Sequence, residues 1–336
     1  MSIRFSESEF GTTGDGRKCR AVSLDNEAGF GITVLDYGAT LQSVVLPCKD
    51  GPVDVVLGYD TIGEYERNDG CLGASIGRYA GRIPDSMLQI GEEVFPVTDN
   101  DKGNHLHGGR IGFDKKVWKA SAADNAVQFD LLSSDGEDGY PGTVRTTATY
   151  ALKENVLTIS YKGISDRTTA WNPTNHAYWN LNGHDAGDAR KHRLEIPAAH
   201  YVPVGPDRIP TGGAAAVAGT EYDFRRLREI DGVFDNSFVL SGGPIRLCGE
   251  RGIGMEIRTD CKAIQFYNAE FLSNRQGKSG AVYRPFGAVC LETEGRQARR
   301  GVSIAEENIL RDDHTNFRET SFQFLNEEKS IWNPSK

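Results

Sequence analysis

The fold is decided by the stretch at residues 144–162, which reads VRTTATYALKENVLTISYK. In its second half apolar and polar residues alternate, so that Leu157, Ile159 and Tyr161 share one face of an extended chain. Threonine, serine and lysine fill the opposite face. The polar residues at 153–155 separate this run from a similar one before it. The stretch therefore predicts a β-hairpin whose strands are residues 144–152 and 156–162.

Short alternating runs recur along the chain, and its 39 glycines punctuate them. Helical periodicity is weak, and no linker, repeat or shift in composition divides the chain. We therefore expect an all-β protein, a single large antiparallel β-sandwich domain of residues 1–336 with few short helices. Further strands are predicted at residues 31–35, 41–46, 127–132, 238–240, 255–259, 263–267 and 288–292, closing strands around 320–325, and short helices at 61–67 and 304–310.

The composition is typical of a soluble globular protein with a sizeable core, since 38% of the 336 residues are apolar and 25% are charged. The formal net charge of −9 is unfavourable for a protein that binds nucleic acids or anionic membranes, because those partners select basic surfaces. We therefore expect neither a nucleic-acid partner nor a membrane partner.

The N-terminus and the cysteines indicate a compartment. Residues 1–7 contain no apolar segment of a secretory signal, and no run approaches the roughly 18 apolar residues of a membrane span. The six cysteines are far apart and form no CxxC pair, so free thiols are expected rather than disulfides. These features predict a cytoplasmic protein.

The first notable histidine segment is NHLHGG at residues 104–109. On a strand, His105 and His107 would face the same side and could chelate a metal ion, although the sequence marks no third ligand. The alternative is that one histidine is exposed and the other makes a local hydrogen bond. The glycine pair that follows allows a sharp turn or a close backbone approach to a ligand.

The second segment is WNPTNHAYWNL at residues 171–181, which contains His176 and Tyr178. Aromatic, imidazole and amide groups are costly to bury unless each polar tip has a partner. Sugar-binding sites use this composition, because aromatic faces cover the C–H faces of the ring while the polar groups bind hydroxyls. A well-satisfied core strand explains the segment equally well.

Two acidic residues and a pair of arginines complete the candidates. Asp235 lies between phenylalanines, and Glu292 ends an apolar run. A carboxylate that emerges from a buried strand has a raised pKa and is a better base near neutral pH, whereas a strand-end acid that faces solvent has no such role. Arg78 and Arg82 could bind hydroxyls or a carboxylate, and no phosphate-binding loop follows them.

Together these segments resemble the aldose 1-epimerase (galactose mutarotase) family, and they occur in the family's order from about residue 57 to residue 294. No single segment is specific, but the ordered series makes chance an unsatisfactory explanation. The matching segments are residues 57–60, 76–83, 106–109, 112–115, 135–142, 172–181, 219–225, 235–238, 265–267 and 291–293.

The resemblance implies a galactose mutarotase-like β-sandwich with a shallow sugar cleft and an isomerase that interconverts the α and β anomers of a free aldohexose such as glucose or galactose. It makes Glu292 the general base, His176 the general acid and His107 a second imidazole that stabilises charge on the ring oxygen O5. No cofactor and no metal ion are implied, and a monomer or weak homodimer is expected. The residues that would contact the sugar or hold the catalytic groups are Gly81, Arg82, His107, Tyr178, Asp235 and Gln265.

Three departures from the family pattern concern the cleft. Glu294 replaces a common glutamine; a second carboxylate so close would raise the pKa of Glu292 if the strand bends, and on a regular strand the two residues share a face. Gly81 stands where many members have asparagine, and residues 295–300 (GRQARR) replace a Pro-Asp-Ala stretch. The first and third of these changes bear on the sugar preference and on the rim of the cleft.

Three alternative functions remain open. A hexose-phosphate mutarotase would use Arg296, Arg299 and Arg300 to bind an anion, although such a cluster is more often a solvated turn. A glycosidase would use Asp235 and Glu292 as a carboxylate pair and would cleave a glycoside, but it has no need of the histidines. A non-catalytic sugar-binding module would lack one of the catalytic residues.

Overall fold

The computed structural model describes residues 2–67 and 70–325. Within them nearly all regular structure is extended, and α1 (Ile62–Glu66) is the one α-helix. The predicted all-β class is confirmed. Short 3₁₀ turns lie at Pro84–Ser86, Phe113–Lys115, Glu137–Gly139, Lys278–Gly280 and Glu306–Asn308.

The strands of the described residues are numbered in chain order. The first fifteen are β1 (Ile3–Thr12), β2 (Lys18–Asn26), β3 (Gly31–Leu35), β4 (Thr40–Leu46), β5 (Val53–Asp54), β6 (Ser75–Ile76), β7 (Arg82–Ile83), β8 (Met87–Ile90), β9 (Glu93–Pro96), β10 (His105–Leu106), β11 (Lys119–Ala123), β12 (Ala126–Ser133), β13 (Val144–Lys153), β14 (Val156–Ser165) and β15 (Thr169–Ala170). The other fifteen are β16 (Thr174–Asn175), β17 (Tyr178–Trp179), β18 (Arg193–Glu195), β19 (Ala198–Tyr201), β20 (Ala215–Ala216), β21 (Arg228–Glu229), β22 (Asp235–Leu240), β23 (Ile245–Cys248), β24 (Gly254–Thr259), β25 (Ala263–Tyr267), β26 (Arg275–Gln276), β27 (Val282–Tyr283), β28 (Val289–Glu294), β29 (Ile309–Leu310) and β30 (Thr315–Leu325).

Three sheets carry the architecture. A nine-stranded sheet has the order β11-β12-β13-β14-β30-β24-β23-β18-β21, a six-stranded sheet has the order β17-β28-β25-β22-β19-β20, and a five-stranded sheet runs from β1 to β5. The strand pairs within these sheets are antiparallel. Short two-stranded pairs, among them β7 with β10 and β6 with β16, connect the sheets at the edge of the cleft described below.

The predicted hairpin forms as expected. Strands β13 and β14 pair in register from Val144 opposite Ser165 to Lys153 opposite Val156, and the turn is Glu154–Asn155. Leu157 and Ile159 are buried beneath the sheet. The period-two pattern therefore predicted both the pairing and the buried face correctly.

One apolar core joins the three sheets. Leu24 of β2, Leu157 of β14 and Leu291 of β28 belong to three different sheets and lie in the same buried cluster. Burial of each such side chain contributes about 1.5–3 kcal/mol, so the sheets are held face to face as a sandwich. Along β28 the alternation turns Leu291 toward this core and Glu292 toward the opposite face, where the cleft lies.

One of the two predicted helices is confirmed. Thr61 caps α1 through a capping box, in which the Thr61 and Glu64 side chains bond each other's backbone N–H groups. The helix predicted at residues 304–310 is wrong, because a 3₁₀ turn is followed there by β29, which pairs with β15. The Asn308 carbonyl accepts a hydrogen bond from the Trp171 N–H. A backbone group that a helix would bond internally is therefore bonded to another part of the fold.

The other expectations hold within a few residues. Each predicted strand lies in one of the observed strands, and the closing segment is the single strand β30. All six cysteines are free thiols, as predicted. Among the described residues, no helix is both long and apolar enough to cross a membrane.

Candidate active site

A cleft of about 280 Å³ opens on the outer face of the six-stranded sheet. This volume is at the lower end of the range for ligand sites and suits a small molecule. Every residue that the family resemblance implied for the site lines this one cleft: Gly81, Arg82, His107, His176, Tyr178, Asp235, Gln265 and Glu292.

The sheet supplies one wall of the cleft. In the register of β22, β25 and β28, Ser237 lies opposite Gln265, which lies opposite Glu292. Asp235 is two residues before Ser237, so its side chain points to the same face. The Gln265 side-chain N–H donates to Asp235 Oδ1 at 2.7 Å. The side chains of Asp235, Gln265 and Glu292 therefore form a row on one face of the sheet.

Two short strands bring the second wall to this surface. Leu106 of β10 pairs with Arg82 of β7, so His107 directly follows the point where the two chains meet. His107 has φ 51, in the left-handed region, and Gly108 has φ 84. A Cβ on Gly108 would lie 1.8 Å from the Gly77 carbonyl oxygen, so this close approach requires glycine.

The metal hypothesis based on His105 and His107 is wrong, because the two rings do not share a face. Strand β10 ends before His107, and the left-handed turn sends that ring into the cleft. His105 is buried elsewhere, with Nδ1 2.7 Å from the Thr98 carbonyl oxygen and Nε2 2.6 Å from the Tyr140 hydroxyl. His105 is therefore the locally bonded histidine that the alternative interpretation required.

His176 and Glu292 face each other at the bottom of the cleft. The distance from His176 Nε2 to Glu292 Oε1 is 3.6 Å, and the two residues are only 6% and 3% exposed. The His176 ring stacks on Tyr178 at 5.0 Å between centroids, and the His107 ring approaches it edge-on at 5.4 Å. The Tyr178 hydroxyl donates to the Gly70 carbonyl at 2.8 Å. His176 is therefore held in one orientation.

Burial shifts the pKa values of His176 and Glu292 in opposite directions. Burial raises the pKa of Glu292 well above its usual range, and the negative charges of Glu294 and Asp235 add to the effect. Burial lowers the pKa of His176 to about 4. These shifts favour a neutral pair, in which Glu292 carries the proton and His176 is unprotonated.

A sequence profile of the aldose 1-epimerase family matches residues 20–295. The chain belongs to the aldose 1-epimerase family. It is 35% identical over 302 residues to the aldose 1-epimerase of Escherichia coli, covering 83% of this chain and 87% of that one. It is 34% identical over 279 residues to the galactose mutarotase of Homo sapiens, covering 78% of this chain and 82% of that one. The crystal structure of the galactose 1-epimerase from Lactobacillus acidophilus aligns with a TM-score of 0.85 and 28% identity, over 97% of this chain and 99% of that one.

The family resemblance and the isomerase class predicted from the sequence are confirmed by these comparisons. The solved structures also confirm the predicted mutarotase-like sandwich. The aldose epimerase homologue from C. elegans aligns with a TM-score of 0.85 and 28% identity, over 97% of this chain and 99% of that one.

In this aldose 1-epimerase family member, a backbone contact determines which nitrogen of His107 carries the proton. The Gly81 N–H donates to His107 Nδ1 at 3.2 Å. Burial lowers the pKa of His107 well below its usual range, so the ring is neutral and its remaining proton belongs on Nε2. His107 therefore offers an N–H donor from its other ring nitrogen.

Other polar groups of the cleft are held by ion pairs. Arg82 Nε lies 2.6 Å from Asp101 Oδ2. Asp235 Oδ2 lies 3.6 Å from Arg208, which also bonds Glu270 at 2.7 Å. Because these partners fix the side chains before a ligand arrives, less conformational entropy is lost on binding.

The predicted effect of Glu294 on its neighbour is supported by the structure. Strand β28 is regular through Glu294, which lies in the cleft lining together with Glu292. Glu294 is 1% exposed, and burial raises its pKa to about 8. Its charge is one of the causes that raise the pKa of Glu292.

His107, His176 and Glu292 could also be considered as metal ligands. One nitrogen of each of His107 and His176 and one oxygen of Glu292 all lie within 4.8 Å of one another. Two imidazoles and a carboxylate are a common donor set for zinc or iron. The Gly81 N–H, however, already uses the lone pair on His107 Nδ1. A neutral ring with this contact carries its proton on Nε2, so His107 is better suited to donate a hydrogen bond than to bind a metal ion. The absence of a metal ion stays a prediction.

The arginine cluster is part of the surface and does not line the cleft. Arg296 pairs with Glu307 at 2.8 Å, and Arg300 pairs with Asp85 and Asp207 at 3.0 and 2.8 Å. The interpretation of this segment as a solvated turn is therefore the one that the structure supports. Arg78 is likewise structural, since its buried guanidinium donates to the Ser133 hydroxyl and to backbone carbonyls.

Sequence reasoning missed several lining residues. Tyr267 was predictable, because it follows Gln265 by two residues on β25 and so shares its face. Phe271 lies in an irregular segment, Arg275 begins the two-residue strand β26, and Gln297 lies in a loop, so no periodicity predicts their directions. Only the tertiary fold brings these three to the cleft.

Proposed function

We propose that the protein interconverts the α and β anomers of a free aldohexose by general acid–base catalysis. The observation that carries this proposal is the buried His176–Glu292 pair, 3.6 Å apart at the bottom of a cleft of monosaccharide size. The relatives named as aldose 1-epimerase and galactose mutarotase support the same chemistry.

The reaction moves protons and breaks one bond. Glu292 takes the proton of the C1 hydroxyl while the C1–O5 bond breaks, and His176 gives a proton to O5, which leaves an open-chain aldehyde. Rotation about C1–C2 presents the other face of the aldehyde. Ring closure with the proton transfers reversed gives the other anomer. Because no electrons leave the sugar, we propose no cofactor.

The pair needs one proton in total for this cycle. In the resting cleft that proton belongs to Glu292, because burial raises its pKa and lowers that of His176. Transfer from Glu292 Oε1 to His176 Nε2 generates the carboxylate and imidazolium that ring opening requires. The two groups then return to the same protonation state after each turnover.

The surrounding groups bind and stabilise the sugar. His107 presents an N–H donor, which we assign to the charge that develops on O5. Arg82, Asp235 and Gln265 offer donors and acceptors to the ring hydroxyls, while the Tyr178 ring supports His176. Gly81 lines the same cleft with its backbone.

A phosphorylated substrate is less well supported than a free sugar. Arg296 and Arg300 are paired with surface carboxylates and do not line the cleft. Comparison of glucose with glucose 6-phosphate tests this point, and a strong preference for the phosphate would refute the free-sugar proposal.

Polarimetry of freshly dissolved α-D-glucose and α-D-galactose tests the proposed function. We expect the protein to speed relaxation to the same final rotation as the buffer control. Acceleration of neither sugar by the purified, folded protein would contradict the proposal. Cleavage of a chromogenic glycoside would instead indicate a hydrolase.

A further inference from the structure

One end of the cleft is formed by Gly81, Glu294 and Gln297, here named the Glu294 corner. A Cβ on Gly81 would lie 3.6 Å from Glu294 Oε2 and 3.8 Å from Gln297 Nε2. The glycine therefore leaves the space of a side chain open in front of the carboxylate. Gln297 Nε2 donates to Gln265 Oε1 at 2.9 Å, which ties the corner to the polar row of the sheet.

Two acceptor atoms of this corner have no donor among the described residues. They are Glu294 Oε1 and Gln297 Oε1, both inaccessible to solvent. Glu294 also forms no ion pair with any described residue. Arg318 acts on it electrostatically, but its guanidinium donates to Asn172 and Asn308 instead. A buried carboxylate without a cation carries a large desolvation penalty, so the corner lacks a positively charged donor.

Three carboxyl groups lie on one wall of the cleft. Asp235, Glu292 and Glu294 project from one face of the sheet into the cleft. The charge of Arg82 is already matched by Asp101. Asp235 pairs with Arg208, and Glu292 belongs to the proposed acid–base pair, so Glu294 is the one of these three carboxyl groups that is left to accept a cation from the substrate.

We propose that the Glu294 corner binds the amino group of an amino-deoxy aldose, so that amino sugars are substrates of this protein in addition to neutral hexoses. This inference rests on the proposed function, because it names a further substrate class for the same cleft. An ammonium group brings a charged donor to Glu294 Oε2, the carboxylate oxygen that borders the open space, whereas a hydroxyl brings a neutral one. With that cation in place, Glu294 ionises and forms a charge-assisted hydrogen bond.

The test compares amino sugars with glucose in the wild type and in Glu294→Gln. The probes are 2-amino-2-deoxyglucose and 6-amino-6-deoxyglucose at slightly acidic pH, where the amines are protonated, and N-acetylglucosamine as the uncharged analogue. For each enzyme the quantity is the ratio of kcat/KM for the probe to that for glucose. We expect Glu294→Gln to lower this ratio about tenfold for at least one amine and to leave the ratio for N-acetylglucosamine unchanged.

Two further variants keep the test decisive. Gly81→Asn fills the open space, and asparagine tolerates the φ of +78° better than most residues. Its amide can donate to Glu294, so the preference for the amine should fall in this variant also. Glu319→Gln changes the net charge equally at an exposed site outside the cleft and should leave every ratio unchanged.

The outcomes separate the two proposals. If glucose is not accelerated by the wild type, the proposed function is wrong. If glucose is accelerated but neither amine is a substrate, or if Glu294→Gln leaves both amine ratios at the wild-type value, the anomer chemistry stands and the role of the Glu294 corner is refuted.

Discussion

The backbone N–H of Gly81 donates a hydrogen bond to Nδ1 of His107, 3.2 Å away. This contact joins the ends of the paired strands β7 and β10, and it leaves the second ring nitrogen of a neutral imidazole as a donor. The tautomer of a proposed catalytic group is therefore set by the backbone of a neighbouring strand. A side-chain substitution at position 81 leaves this donor in place.

Glu292→Gln should remove the proposed general base and keep the shape of the cleft. We expect mutarotation of glucose to fall by roughly 10²–10⁴-fold, the usual contribution of a positioned acid–base group. Polarimetry measures this change, and circular dichroism reports whether the variant is folded. Glu93→Gln, at an exposed site outside the cleft, is the matched control. Near wild-type activity in folded Glu292→Gln would show that another residue is the base.

His176→Asn should reduce turnover to a similar extent, because among the described residues His176 is the one histidine that forms an ion-pair contact with Glu292, at 3.6 Å. His192→Asn is the matched control, since His192 is also buried and burial lowers its pKa to about 4. His192 accepts the Leu181 N–H at 2.9 Å and lies outside the cleft. That variant should lose about 1–3 kcal/mol of stability while its folded fraction retains activity. Equal loss of activity in both variants would indicate a structural role for His176.

The pH dependence of kcat/KM should be bell-shaped, because the His176–Glu292 pair must hold one proton. Below about pH 4 His176 is protonated as well, and the pair has no base. Above the raised pKa of Glu292 the pair has lost its last proton and has no acid. Polarimetry across pH, corrected for the uncatalysed rate, gives both limbs. An acid limb near pH 6.5, the usual value for histidine, would contradict the burial effect on His176.

Glu294 should make the stability of the protein depend on pH. Its pKa in the folded state, about 8, exceeds its ordinary value of 4.5, so the folded state binds more protons than the unfolded state between these values. The free energy of unfolding that this group contributes is fully present below pH 4.5 and is lost as the pH rises through about 8. Denaturant unfolding of wild type and Glu294→Gln across this range should show a smaller decline in the variant. If the free energies of unfolding of the two proteins declined equally with pH, the raised pKa of Glu294 would be refuted.

Gly108→Ala should disrupt the turn that carries His107. The new Cβ would lie 1.8 Å from the Gly77 carbonyl oxygen, so the backbone must move. We expect a loss of roughly 2–4 kcal/mol in stability together with a large loss of activity. Gly91→Ala is the matched control, because Gly91 also has a positive φ but no atom within 4 Å of the added Cβ. It should cost only about 1–2 kcal/mol and leave turnover unchanged. Equal effects of the two variants would rule out the contact with Gly77 as the cause.

The strands and the sheet wall of the site were predictable because period-two alternation is a local property. Glu292 ends an apolar run, and the same alternation that buries Leu291 turns it to the cleft. His176 and His107 came from the family resemblance, since spacing alone left a core strand and a metal site as open interpretations. The resemblance also brought together residues that lie far apart in the chain.

What the sequence did not predict depends on long-range contacts. The pattern at residues 304–310 suggested a helix, but the backbone there is hydrogen-bonded to Trp171 and paired with β15 instead. The direction of the His107 side chain depends on a left-handed turn, and the pattern of apolar residues in the sequence does not predict such a turn. Gln297 reaches the cleft from a loop, where only the packing of its surroundings determines the side-chain position.

The position of β30 determines when this protein can finish folding during synthesis. It is the last strand of the described residues, yet it lies between β14 and β24 in the middle of the nine-stranded sheet. During synthesis, β14 and β24 therefore each keep one unpaired edge until residues 315–325 have left the exit tunnel. Open strand edges recruit other chains. A chain that is truncated before residue 315 therefore exposes the edges of β14 and β24 and is expected to be prone to aggregate.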